Sequence, residues 1–143
     1  AYQQAQLLFQ QVGAKLGQAN VLKAIGDVQA FRDDRDAALA SYQQAQLLFQ
    51  QVGAKLGQAN VLLALAELRG DAALYEEAIT IYQSISDVYS TARAKRWFAV
   101  SKIARGDKVS ALRLLNEAEA AYQAIGFEYG LQLIAQNRLQ LEA

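Results

Sequence analysis

The segment YQQAQLLFQQVGAKLGQANVL occupies residues 2–22 and recurs, letter for letter, as residues 42–62. A tandem copy displaced by 40 residues restricts the possible folds more than any other feature of the chain. A unit of that length is one supersecondary element that cannot bury its apolar side alone, so neighbouring units must stack to form the core. The expectation is a solenoid, whose exposed surface binds something else, rather than an enclosed reaction chamber.

The residue types set the kind of unit. Apolar residues make up 53% of the chain and charged ones 20%, and there is no proline. Abundant Ala, Leu and Gln lose little side-chain freedom on a helical surface, and no helix is interrupted by a missing amide donor. The reading is all-α. Leu39, Tyr42, Ala45, Leu48 and Phe49 return every three or four positions, the stripe of a helix packed along one side.

Several functions are disfavoured on the same grounds. The chain has no histidine and no cysteine, which removes the commonest general base and metal ligand, any disulfide frame and any thiolate site. No nucleophile beside a base and no phosphate-binding loop is found, so the expectation is a non-enzyme without a cofactor. No apolar run approaches the roughly 18 residues that span a bilayer, and no signal peptide is recognisable. A soluble, cytoplasmic chain is expected. It starts at Ala1, partway through a repeat, as a piece of a longer array would.

Net charge is zero but unevenly spread. Residues 92–113 hold Arg93, Lys95, Arg96, Lys102, Arg105, Lys108 and Arg113 against the single acid Asp107, whereas residues 64–87 hold Glu67, Asp71, Glu76, Glu77 and Asp87 against Arg69. Opposite blocks read as solvated faces and neighbour pairs, or as a field that steers a charged ligand.

With substitutions allowed, the repeat runs further. FQQVGAKLGQAN at 49–60 reappears as YQSISDVYSTAR from Tyr82 and YQAIGFEYGLQL from Tyr122, giving spacings of 40, 33 and 40 residues. Each copy reads as a helix end, a turn and the next helix start. Gly13, Gly53 and Gly126 stand where a helix terminus takes a left-handed residue; Ser86 stands there in the third copy, so that turn is expected to differ. Further turns at 32–34, 70–73 and 106–107 divide the chain into eight expected helices: 1–12, 16–31, 35–52, 56–69, 74–87, 90–104, 108–125 and 129–142. The 33-residue unit should have the shorter second helix. The expected division is a lone second helix (1–15), repeats at 16–55, 56–88 and 89–128, and a lone first helix (129–143).

These residues resemble the tetratricopeptide repeat (TPR) family, in a variant with mostly 40-residue spacing. Its pattern of a large residue, a Leu-Gly-like pair, an alanine, an aromatic and a second alanine is met by Leu22, Ile25-Gly26, Ala38, Tyr42 and Ala45. Leu62, Leu65-Ala66, Tyr75, Ala78 and Tyr82 meet it again, as do Phe98-Ala99, Gly106-Asp107, Ala111, Leu115 and Ala118. Ile85 departs from the pattern, and the closing proline is missing. The resemblance implies a right-handed α-solenoid of antiparallel hairpins whose first helices line a concave groove.

Carried over residue by residue, the groove positions are Asn20, Lys23, Ala24 and Asp27, then Asn60, Leu63, Ala64 and Glu67, then Arg93, Arg96, Trp97 and Val100, with Gln136 and Asn137 on the last helix. The two Asn amides both donate and accept, as an extended peptide backbone requires, or they are helix contacts inherited by duplication. Arg93 and Arg96 can fork onto a carboxylate. Trp97 lies about 100° round from Phe98, either as an anchor facing the groove or as core. The implied partner is a protein or peptide, acidic or carboxylate-ended, with an apolar anchor. End-to-end self-assembly through the terminal helices is the alternative, and single-stranded RNA, favoured only by the basic block, comes third. Arg69-Gly70-Asp71 and Arg105-Gly106-Asp107 spell an adhesion tripeptide but read as turns, and Asp33, Asp34 and Asp36 as turn and helix-start acids.

Overall fold

The computed structural model describes residues 2–142, with the backbone alone at Tyr2. Seven helices form among the described residues: α1 (Tyr2–Phe31), α2 (Arg35–Val52), α3 (Lys55–Arg69), α4 (Ala72–Ser84), α5 (Val88–Ala104), α6 (Lys108–Ile125) and α7 (Glu128–Glu142). The fold class is all-α, built from helix hairpins in the manner of an α-solenoid. The chain divides into two compact units, Ala1–Arg69 and Gly70–Ala143. That boundary falls inside the expected 56–88 repeat. Ala1 and Ala143, the ends of the expected first and last segments, lie outside the described residues.

The helix starts are built by aspartates. Asp71 accepts from the Ala73 amide at 3.0 Å, Asp87 from Ser90 at 2.9 Å and Asp107 from Ser110 at 3.1 Å. Each satisfies an amide that has no partner within its helix, worth about 1 kcal/mol. Asp34 starts α2 without a side-chain cap. Both Arg-Gly-Asp triplets are accounted for in this way, with Gly70 and Gly106 left-handed and the aspartate opening the next helix.

In the first unit, α2 packs on α1 and on α3. The α2 terminus is closed by Gly53 at φ 69°, whose amide meets Gln50 O at 3.2 Å while Ala54 N meets Phe49 O at 2.9 Å. This turn folds α3 back so that Gly57 faces Phe49, where a Cβ would run into the ring. Likewise Gly26 of α1 sits against the Tyr42 ring. The Arg35 guanidinium donates to the Leu68 carbonyl, tying the start of α2 to the end of α3.

The expected break at Gly13 does not occur. Residues 2–31 form one continuous helix, and the eight expected helices become seven, with the expected first helix running on into the second as α1. The physical reason lies in the neighbours. A turn gives up intrahelical hydrogen bonds, and at residues 49–62 that loss is offset by burial of Phe49 and Val61, 2% and 0% exposed. Residues 3–18 are exposed throughout, so a turn at Gly13 buries nothing and the helix continues.

In the second unit, α5 packs on α4, α6 and α7, and α6 packs on α7. Tyr75 and Phe98 stack at 4.8 Å between ring centres, and Tyr82, Leu115, Tyr122 and Ile134 are fully buried. Gly126 closes α6 at φ 70° with the same pair of bonds as Gly53, to Gln123 and from Phe127 to Tyr122. Ser86 corrects the expectation of a different turn. It adopts φ 56°, and Ser86 N→Gln83 O and Asp87 N→Tyr82 O, both 3.0 Å, repeat the glycine pattern. Steric cost at Ser86 is absorbed because the surrounding hairpin imposes the geometry. The expected shortening is seen: α4 has 13 residues, against 18 in α2 and in α6.

Candidate functional site

Tyr89, Arg93 and Trp97 follow each other at four-residue spacing on α5, so they share a face of that helix. Opposite stand Tyr129 and Leu133 of α7, with Tyr122 of α6 and Phe127 of the intervening turn forming the floor. Together with Arg96 they enclose a cleft of ≈ 440 Å³. The rings support one another: Tyr89 meets Phe127 edge-on at 5.2 Å, Phe127 lies 5.4 Å from Tyr122, and Tyr129 lies 6.1 Å from Phe127.

Two arginines give this apolar cleft its charge. Arg96 is only 8% exposed, and its guanidinium lies 4.6 Å from the centre of the Trp97 ring, a cation–π contact. Its Nη1 donates to Asn137 Oδ1 at a long 3.4 Å. The buried Nε atoms of both Arg93 and Arg96 have no hydrogen-bond partner. Among the described residues neither arginine has a carboxylate partner, although Lys95 pairs with Glu117 at 3.0 Å and Arg138 with Glu119 on the neighbouring surface. A buried cation is normally paired, because leaving it alone costs several kcal/mol. Burial raises the Tyr122 hydroxyl pKa, while Arg96 and Arg93 pull it back down. The cleft is therefore electropositive and lined by aromatic faces, chemistry suited to an anionic group carried on an apolar segment.

The expected groove residues separate into two sets. Arg93, Arg96 and Trp97 line this cleft, and Asn137 borders it by holding Arg96; Val100 is half-buried on the same helix. In the first unit, Lys23 and Asp27 pair at 2.8 Å, and Asp27 also accepts from the Tyr42 hydroxyl at 2.6 Å. These contacts join α1 to α2 through Asp27, which stays exposed. Leu63 is 3% exposed, which takes it out of any groove and into the core. Asn20 and Glu67 are exposed and Asn60 is half-buried.

Sequence reasoning missed the aromatic half of the cleft. Tyr122, Phe127 and Tyr129 crowd the segment YQAIGFEYG, a signal that reads as a turn because its glycine and its alignment with the other copies dominate. Tyr89 carries no signal of its own until α5 is placed against α6 and α7. The paired Gly57 and Phe49, and Gly130 and Tyr122, were also legible as a small residue eight positions after an aromatic one.

Comparison with known proteins adds the lineage. The sequence model described as Soluble NSF attachment protein, SNAP, matches residues 1–123 of the 143. The chain belongs to the soluble NSF attachment protein family. This is a TPR-like helical-repeat family, non-catalytic and adaptor-like in character, which agrees with the all-helical architecture and with a role as a protein-interaction module. No curated protein and no solved structure matches the chain. Among the described residues no helix is long and apolar enough to cross a membrane, and no group of acidic residues could hold a metal ion.

Proposed function

We propose that the chain captures an acidic or carboxylate-ended protein segment in the aromatic cleft of the second unit. One observation carries the reading: Arg96, buried, and Arg93 both line an aromatic cleft, and among the described residues neither has a carboxylate partner. A ligand carboxylate in the cleft would meet these guanidinium groups, and charge-assisted bonds of this kind are about twice as strong as neutral ones. An apolar residue next to that carboxylate would lie against Trp97, Tyr89 or Tyr129, pairing arginine with aromatic side chains as binding hot spots do. The family's name, which refers to attachment to another protein, fits a module of this kind.

Trp97 is the only tryptophan, so its emission reports on the cleft directly. Short peptides ending in a free carboxylate after a leucine or phenylalanine should change that emission saturably, and amidation of their C-terminus should weaken binding by about tenfold or more. Arg93→Gln should produce a similar loss without altering helicity. Emission that stays constant across acidic and carboxylate-ended peptides overturns the reading.

A further inference from the structure

The identical copies make one surface on α1 interpretable. Its N-terminal half exposes Leu7, Leu8, Phe9, Val12 and Leu16, with Phe9 79% exposed, and Val21 farther along is 59% exposed. In the second copy the matching Phe49 and Val61 are buried at 2% and 0%. Phe49 is received by Gly57, whose missing Cβ leaves room for the ring, whereas nothing lies within 4 Å of a Cβ at Gly17. Ala45 is also fully buried, and its counterpart Ala5 is exposed. The same 21 residues thus contain both halves of a contact, made within the chain at 42–62 and unmade at 2–22.

The open face is well defined. Phe9, Gly13, Gly17 and Val21 follow at four-residue intervals along α1, and Gly17 lies half a turn away from Gly26, which meets the Tyr42 ring of α2. The stripe therefore points away from α2. What complements it is the sequence 2–12, because residues 42–52 cover the identical surface at 56–62. Since α1 is one unbroken helix, its own residues 2–12 do not turn back onto that surface.

We propose that α1 pairs antiparallel with α1 of a second copy of this chain, each supplying the arm that the other lacks. Phe9 of one copy then enters the gap at Gly17 of the other, as Phe49 enters at Gly57, and the reverse contact is made by symmetry. Gly13 lies on the two-fold axis, where the absence of a side chain lets the helices approach. The interface is isologous and closes at two copies, unlike an end-to-end array.

Sedimentation of the full 143-residue chain over a range of concentrations tests this, and the expected mass is twice that of the monomer. Phe9→Glu places a charge in the contact and should weaken self-association by more than about tenfold. Phe9 is exposed in the single chain, so circular dichroism should be unchanged. Val109→Glu, at an exposed site on α6, should leave the dimer intact. The chain has no cysteine, so Phe9→Cys combined with Gly17→Cys should oxidise to a covalent dimer. A monomeric mass at all concentrations, a disulfide formed within one chain by closure of residues 2–22 into a hairpin, or a dimer indifferent to Phe9→Glu overturns the proposal.

Discussion

Ser86 holds a conformation that costs an ordinary side chain about 1–2 kcal/mol, at φ 56° in a turn whose counterparts at Gly53 and Gly126 use glycine. Ser86→Gly should therefore stabilise the protein by about 0.5–1 kcal/mol, after the extra freedom of glycine in the unfolded chain is deducted. Thermal unfolding should rise by a few degrees, and an unchanged or lower midpoint would contradict this account. The glycine pattern suggested a different turn at 86, because residue preference is a weaker force than the geometry imposed by two packed helices. Asp27 shows the same limit. Its type and position suit ligand contact, and the structure adds a bond that its type does not announce, accepted from the Tyr42 hydroxyl at 2.6 Å. Burial first, and then that hydrogen bond, raise the Tyr42 pKa well above its ordinary value near 10. A raised folded-state pKa means that the contribution is complete below about pH 10 and is lost as pH climbs through the folded value. Tyr42→Phe should cost about 1 kcal/mol at neutral pH and remove part of the alkaline loss, as urea unfolding at pH 8 and pH 11 would show.

Helices α2 and α6 end where their sequences say they should, because Gly53 and Gly126 are followed by chain that packs back on the hairpin. Gly13 has the same neighbours in sequence and sits inside α1 instead. Substituting alanine at the two equivalent glycines should therefore have opposite effects. Gly13→Ala should favour its helix by about 0.5–1 kcal/mol, visible as slower amide exchange across residues 8–18. Gly53→Ala should lower global stability by about 1–2 kcal/mol, since φ 69° penalises a Cβ. Equal effects at the two sites would remove the explanation given for the continuous helix. A similar contrast applies to Gly57, where a Cβ meets the Phe49 ring, and Gly17, where it meets nothing.

Fold class and most helix ends were legible, since they follow from local chemistry: apolar period, absence of proline, and aspartate and glycine at the termini. The charged half of the cleft was legible as well, because Arg93, Arg96 and Trp97 lie on one helix at helical spacing. Its aromatic half was not, since Tyr89, Tyr122, Phe127 and Tyr129 come from α5, α6, α7 and a turn that meet only on folding. Because Arg96 is buried, its interaction with a carboxylate is screened weakly by salt. Raising ionic strength from about 0.01 to about 0.15 M should accordingly weaken peptide binding by less than about tenfold, and a steeper loss would place the contact on exposed lysines instead. What local order could not determine is seen most clearly in YQQAQLLFQQVGAKLGQANVL. Its residues specify helix in both copies, and a turn gives up only a few of the intrahelical hydrogen bonds that a continuous helix keeps. The choice between the two rests on burial, and burial depends on which other helix lies alongside: α1 and α3 bracket α2 and favour the hairpin at 42–62, while residues 3–18 lie exposed and stay in one helix.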